Sequence, residues 1–336
     1  MAATDTVVQV AATVPTRQPE EMPGLNRPEF LDPTPWRDAV IEPIAGDASD
    51  RRYFRLRHGH RTAVLMDASR NRESIDPFLR IDEHLIRLGF SAPVVLARDP
   101  AGDCLLLEDF GDATFGVLLD GVVDPAPYLE LATDVLAALH GKPDAVPPGL
   151  RRYDVETMLA DIELFLEWCV PELRDEPRAE FRSAWRQVLP LAHRVQATLL
   201  LRDYHAGNLM FLARRQGVRR AGLLDFQDAY QGPVTYDLVS LLEDARRDVP
   251  HDLRQGMIDR YLAKVPVADR EAFATSLAAV AAQRHTRVLA IFERLHRNGR
   301  PEYRERHSPR VRQMLHRALA HPALTPVRRW MQRYAG

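Results

Sequence analysis

The stretch Leu199–Leu212, LLLRDYHAGNLMFL, sets Asp203, His205 and Asn208 in a short polar window between two apolar runs. Those flanking runs have the composition of short buried strands, so the window reads as a loop held at both ends. Downstream, AGLLDF (Ala221–Phe226) is another apolar run, ending in Asp225 and Phe226. A turn at RRQG (Arg214–Gly217) closes the strand after Asn208 onto the strand before Asp225 and makes the two residues neighbours. An Asp carboxylate and an Asn carbonyl are hard oxygen donors. With phosphate oxygens and water they suit octahedral Mg²⁺, which usually takes only one or two protein carboxylates. Asp203, five residues before Asn208, is then left to orient a hydroxyl and take its proton.

The remainder of the 336-residue chain is consistent with a soluble globular protein, 46% hydrophobic and 27% charged, long enough for two lobes. Lys and Arg number 45 against 47 Asp and Glu. That balance lacks the basic excess expected of a phosphate-backbone binder, so no nucleic-acid partner is expected. The basic run RRQGVRR (Arg214–Arg220) reads as a solvated turn. No apolar run approaches the ~18 residues of a membrane span, and the N-terminus lacks the pattern of a signal peptide. A cytoplasmic protein without membrane attachment is the expectation. Cys104 and Cys169 lie far apart without CxxC spacing, which argues against a disulfide framework or structural zinc.

Along the chain, residues 1–28 are polar and Pro-containing and read as a disordered tail. Residues 29–108 read as a small β-rich lobe. DAVIEPI, RRYFRLR and TAVLMDA form three antiparallel strands, DPFLRIDEHLIRLG a helix ending at Gly89, and SAPVVLARD and DCLLLEDFGD two more strands. Residues 109–336 turn helical, with Asp154 as an N-cap, Pro171 as a terminator and Pro190 as a point of kinking or breakage. The fold class is α+β and bilobal: a small antiparallel-sheet lobe and a larger, mainly helical lobe whose few short strands carry the polar residues.

RDYHAGN followed by LLDFQDA resembles the D-x-x-x-x-N loop and D-F-G-like segment of the protein-kinase and aminoglycoside-phosphotransferase superfamily. TYDLVSLL resembles that family's Y-D-L helix start, which implies a buried structural acid at Asp237. GDASDRRYFRL resembles the phosphate loop between strands one and two, and LLLEDFGD the connector whose backbone pairs with adenine. These matches run in order over about residues 40–250. Together they are most similar to the anomeric N-acetylmuramate/N-acetylglucosamine kinases of cell-wall recycling. The resemblance implies a kinase that uses ATP and Mg²⁺ to phosphorylate the C1 hydroxyl of a small amino sugar. It implies Asp203 as the catalytic residue and Asn208 and Asp225 as metal ligands. Gly46, Ser49, Arg52, Leu107, Glu108 and Phe110 become nucleotide contacts, and His205, Gln227 and Asp228 contacts to substrate or to the catalytic residues. Kinases of aminoglycosides, choline or homoserine, and a catalytically dead nucleotide-binding module, are the alternatives.

Two departures stand out. The third strand carries no lysine; Met66 falls near the expected position, leaving Arg51, Arg52 or Arg55 to supply a cation. The His that often stands two residues before the catalytic Asp is Leu201 here. Asp82 or Glu83 could pair with the substituting cation. Phe165, Trp168 and Trp185 read as core, with Trp168 also able to stack on a sugar. His84, His140, His285 and His296 read as surface or half-buried residues. Arg151, Arg152, Arg246 and Arg247 are all available to a lactyl carboxylate, and the sequence singles out none of them.

Overall fold

A computed structural model describes residues 29–44, 51–121 and 124–335. The segment read as a tail, and the phosphate-loop candidates Gly46 and Ser49, lie outside the described residues. In the smaller lobe, β1 (Val40–Ile44), β2 (Arg52–His58), β3 (Arg61–Asp67), β4 (Val95–Arg98) and β5 (Cys104–Glu108) form an antiparallel sheet in the order β1-β2-β3-β5-β4. Side chains alternate across it with the two-residue period of a strand. Phe54, Leu56, Ala63, Leu65 and Leu106 pack on one face with Leu31 and Trp36. Met66, Leu105 and Leu107 pack on the other, toward Ile75, Phe78 and Leu85 of α1 (Ile75–Arg87). Gly89 (φ +91°) closes α1 in the left-handed conformation that favours glycine: its N–H bonds Ile86 O, and Phe90 N–H bonds Leu85 O. The helix thus stops two residues before the glycine predicted to end it.

Helices dominate after β5: α2 (Phe115–Gly121), α3 (Ala126–His140), α4 (Val155–Trp168), α5 (Asp175–Ala192), α6 (Thr235–Leu242), α7 (His251–Lys264), α8 (Arg270–Arg297), α9 (Glu302–Leu319) and α10 (Thr325–Tyr334). Asp154 caps α4, its carboxylate accepting Thr157 N–H. Pro190 sits in the last turn of α5, where the helix runs on unbroken to Ala192. Two short ladders carry the chemistry-bearing loops. β6 (Ala197–Leu200) pairs with β9 (Tyr230–Pro233), and β7 (Leu209–Phe211) pairs with β8 (Ala221–Leu223), Leu209 opposite Leu223.

One core crosses between the lobes, joining Met66, Phe78 and Leu107 to Leu209, Leu223 and Phe226. A second fills the helical lobe around Phe165, Phe181 and Trp185; Trp168 stays half-buried at the end of α4, under Arg297. Burial of each large apolar side chain contributes roughly 1.5–3 kcal/mol, so the catalytic loops are anchored by both lobes. Three histidines expected at or near the surface are buried instead. His84 bonds Ala145 O, His285 meets Glu243, and His140 meets the Tyr261 hydroxyl, with burial lowering its pKa to about 3. Each fills a polar slot between packed elements that helical spacing alone does not reveal.

Candidate active site

The catalytic loop begins where β6 ends, and a buried acid shapes it. Asp237, in the first turn of α6, accepts the backbone N–H groups of Leu201 at 2.6 Å and Arg202 at 3.0 Å. Complete burial raises its pKa to about 7, against the two N–H donors that favour the carboxylate. Arg202 then takes a left-handed backbone conformation (φ +67°), uncommon for a residue with a Cβ. Its guanidinium is fixed by Asp161 at 2.7 Å and lies over the rings of Tyr153 and Tyr230. The chain therefore turns sharply into Asp203, whose carboxylate makes no hydrogen bond or ion pair among the described residues.

His205 caps the following short 3₁₀ turn (Ala206–Asn208), its Nδ1 accepting Gly207 N–H at 3.1 Å. Burial lowers its pKa, so the ring stays neutral and orients the loop. Asn208 Nδ2 donates to Asp203 O at 3.0 Å and lies 3.4 Å from Asp225 Oδ2. The β7–β8 hairpin fixes that approach: Leu224 N–H bonds Asn208 O at 3.0 Å. Asp225 is also left-handed (φ +59°), and Phe226 behind it stacks on Phe78 of α1 at 5.1 Å. Such strained positions persist only where the surroundings over-determine them. The hairpin, the α1 contact and Asp237 do so here.

Asp203, Asn208 and Asp225 thereby line one cavity of about 290 Å³. Asn208 spends its amide nitrogen on backbone and carboxylate oxygens, leaving Oδ1 available as a ligand beside Asp225 Oδ2. No group of three or more His, Cys, Asp or Glu able to hold a metal occurs among the described residues. A two-residue oxygen set completed by phosphate and water is what Mg²⁺ accepts, so the residues present fit that ion.

The three cationic candidates separate cleanly. Arg55 clamps the connector, reaching Asp109 and Asp112 at 2.8 Å each. Arg52 forks onto Asp67 across the β2–β3 register and lies over Phe54, on the sheet face that packs against Leu31 and Trp36. The guanidinium that meets Asp225 is that of Arg51: Nη2 to Asp225 Oδ1 at 2.8 Å, Nη1 to Gln227 Oε1 at 2.8 Å. Gln227 in turn donates to Asp225 Oδ1 at 2.9 Å, while Asp228 is exposed, 3.4 Å from the same amide. Asp82 is buried on α1 with Oδ1 unpartnered, and Glu83 faces solvent; neither pairs with a cation among the described residues.

At the connector, Leu107 lies in β5 and faces the cleft-side core. Glu108 pairs with Arg215 at 2.5 Å, and Arg215 also covers the Phe110 ring at 5.2 Å. The basic turn read as solvated is thus partly recruited to bind the hairpin to the connector. Phe110 lies so close over Gly222 of β8 that a Cβ there would sit 2.7 Å from its ring.

Sequence reasoning did not identify Arg284 and Arg287, which line the cavity with Val288, Ile291, Phe292 and Leu295. These six positions follow helical spacing along one face of α8. Two arginines continuing an apolar stripe are the signal that was available. Arg246 lines the same cavity. Arg151 instead stacks on Tyr230, Arg247 pairs with Asp120, and Arg152 lines a separate cavity of about 440 Å³ that includes His193 and Pro233.

The model of the phosphotransferase enzyme family matches residues 40–275. An N-acetylmuramate/N-acetylglucosamine kinase of Caulobacter vibrioides is 34% identical over 91% of this chain and 94% of its own length. One of the same description from Pseudomonas aeruginosa is 34% identical over 82% and 84%. Among solved structures, a choline/ethanolamine kinase family protein from Mesorhizobium loti superimposes with a TM-score of 0.61 at 16% identity, covering 88% of this chain and 94% of its own. That likeness speaks for the bilobal kinase-like fold. The family match spans β1 to the start of α8, and so takes in both the small sheet and the Asp203–Asn208–Asp225 cavity. The chain belongs to the phosphotransferase enzyme family.

Proposed function

We propose that this protein is an ATP- and Mg²⁺-dependent sugar kinase that phosphorylates the C1 hydroxyl of N-acetylmuramate or N-acetylglucosamine, acting in the cytoplasm in reuse of cell-wall sugars. The observation that carries the reading is the convergence of Asp203, Asn208 and Asp225 on one cavity, in a chain whose near-full-length relatives bear that name. Residues 29–108 form the nucleotide-binding lobe and 109–336 the catalytic and substrate lobe, with adenine held at the connector around Leu107–Phe110.

Asn208 and Asp225 would hold the metal, which would neutralise phosphate charge when bound. Arg51 supplies the cation in place of the lysine that β3 lacks, standing beside Asp225 where phosphate oxygens arrive. Asp203, with no competing partner, holds the sugar hydroxyl in line and accepts its proton as the new O–P bond forms and the bond to ADP breaks. The transition state of phosphoryl transfer is loose, so positioning and charge neutralisation outweigh basicity. His205 and Asp237 keep the loop in place without touching the reacting atoms.

The test is ³¹P NMR of the purified protein with Mg·ATP and each amino sugar. A sugar 1-phosphate resonance is the expected result. Its absence with both sugars, alongside Mg·ATP binding, would overturn the reading.

A further inference from the structure

We propose that Asp161 of α4 is a positioning residue for phosphoryl transfer: it anchors Arg202, and with it the turn that presents Asp203, and keeps Arg202 and Arg287 off the Asp203 carboxylate. The inference rests on the kinase reading above, and Asp161 touches no reacting atom.

Asp203 N–H bonds Leu201 O at 2.9 Å across a three-residue turn centred on Arg202, whose φ is +67°. A γ-turn of that sign is rare and strained in a residue with a Cβ. The backbone of the turn is tied to α6, where Asp237 accepts the Leu201 and Arg202 N–H groups and Ser240 Oγ reaches Arg202 O at 3.4 Å. The side chain is tied to α4. Arg202 Nη2 donates to Asp161 Oδ2 at 2.7 Å, and the guanidinium lies 5.3 Å from the Tyr153 ring centre and 5.0 Å from that of Tyr230. The pair is enclosed, with Arg202 10% and Asp161 22% exposed, so salt screens it little.

Asp161 is itself held in place. The same Oδ2 accepts the Tyr153 hydroxyl at 2.6 Å, and Gln283 Nε2 of α8 donates to that hydroxyl at 3.0 Å and to Met158 O at 3.1 Å. One turn along α8, Arg287 reaches Asp161 Oδ2 at 3.4 Å and lines the cavity that holds Asp203. A single carboxylate therefore engages two guanidinium groups, one on the residue before Asp203 and one on the cavity wall. Asp203 is another carboxylate whose charge acts on both. It makes no hydrogen bond or ion pair among the described residues, while Asp161 engages both arginines. Without Asp161 the two cations would repel each other and draw on Asp203, which must stay available to the sugar hydroxyl.

The experiment measures kcat and KM for Mg·ATP with each amino sugar in wild type, Asp161→Asn, Arg202→Gly, Arg202→Ala and the Asp161→Asn/Arg202→Gly double variant. Thermal midpoints are taken alongside, and rates are read well below all of them. Asp161→Asn keeps the shape of the side chain and removes its charge. Its kcat should fall by about 10–100-fold, the scale of a displaced reacting group, with KM for Mg·ATP within about twofold of wild type. Glycine takes a positive φ without an anchor, so Arg202→Gly should turn over faster than Arg202→Ala. Adding Asp161→Asn to Arg202→Gly should then cost no more than about threefold, because the two residues act through one contact. An unchanged kcat in Asp161→Asn, a KM for Mg·ATP that rises as far as kcat falls, or the same loss with and without the Arg202 side chain overturns the anchor and leaves the kinase standing. If Asp161→Asn does not fold, the two Arg202 variants decide, and equal rates overturn the anchor. Wild-type protein that phosphorylates neither sugar overturns the sugar-kinase reading and the anchor with it.

Discussion

Arg51 Nη2 lies 2.8 Å from Asp225 Oδ1, so an arginine preceding β2 sets its charge against the acid that follows β8. The pair is largely enclosed on the arginine side, 7% exposed, and open on the aspartate side, 40% exposed. Arg51 balances the charge of Asp225, and in the proposed kinase phosphate oxygens would take over that role.

Replacing Arg51 with Met should therefore raise KM for Mg·ATP by about 10–100-fold, the size of a lost charge-assisted interaction. Arg51→Lys should restore part of it. Steady-state kinetics with ATP varied checks this; an unchanged KM in Arg51→Met would assign the phosphate contact elsewhere.

The Asp203 carboxylate makes no hydrogen bond among the described residues, so Asp203→Asn should leave the melting temperature within about 2 °C of wild type. Turnover should drop by roughly 10²–10⁴-fold, the usual contribution of a positioned base. Comparable losses of stability and activity would mean that Asp203 holds the loop instead of serving the reaction.

Asp237 is the opposite case. In Asp237→Asn at least one of the Leu201 and Arg202 N–H groups loses its buried acceptor, at a cost of about 1–3 kcal/mol. Denaturant unfolding should show that loss. Because the loop then shifts Asp203, kcat should fall more than KM for ATP. A variant as stable and active as wild type would remove Asp237 from the account of the loop.

Asp82 predicts a pH effect. Burial first, then Glu83 and Glu108, raise its pKa from 3.8 to about 7. Between those values the unfolded chain has released the proton while the folded chain keeps it. The contribution to stability is thus fully present below about pH 4 and is lost as pH rises to about 7. Asp82→Asn should leave stability unchanged at pH 4 and raise it at pH 8 by about 1–4 kcal/mol. Asp237, also raised to about 7, acts with the same sign in both proteins, so the difference between them isolates Asp82. A pH-independent difference would place the Asp82 carboxyl in contact with water.

The sequence by itself determined the parts that depend on local pattern. Alternation in RRYFRLR and TAVLMDA dictates a hairpin, and the apolar runs around RDYHAGN and ahead of Asp225 dictate strands with polar ends. The spacing Asp203…Asn208, with Asp225 at the far end of a β-hairpin, suffices to make the three residues neighbours, because a strand pair fixes its own register. Tertiary structure alone decided between Arg51, Arg52 and Arg55. Alternation sets Arg52 apart from Arg51 and Arg55, and only the packing of the sheet against the connector and the β7–β8 hairpin shows that Arg55 meets Asp109 and Asp112 while Arg51 meets Asp225. It also places Arg246, and not Arg151, Arg152 or Arg247, along the cavity, together with Arg284 and Arg287, which lie some 80 residues from Asp203 in the chain. An arginine on a helix face reads as solvated until the packing of α8 against α4, α5 and α6 fixes where that face lies. Charge in a cavity is a property of the walls that meet there, and those walls come from segments that no local pattern connects.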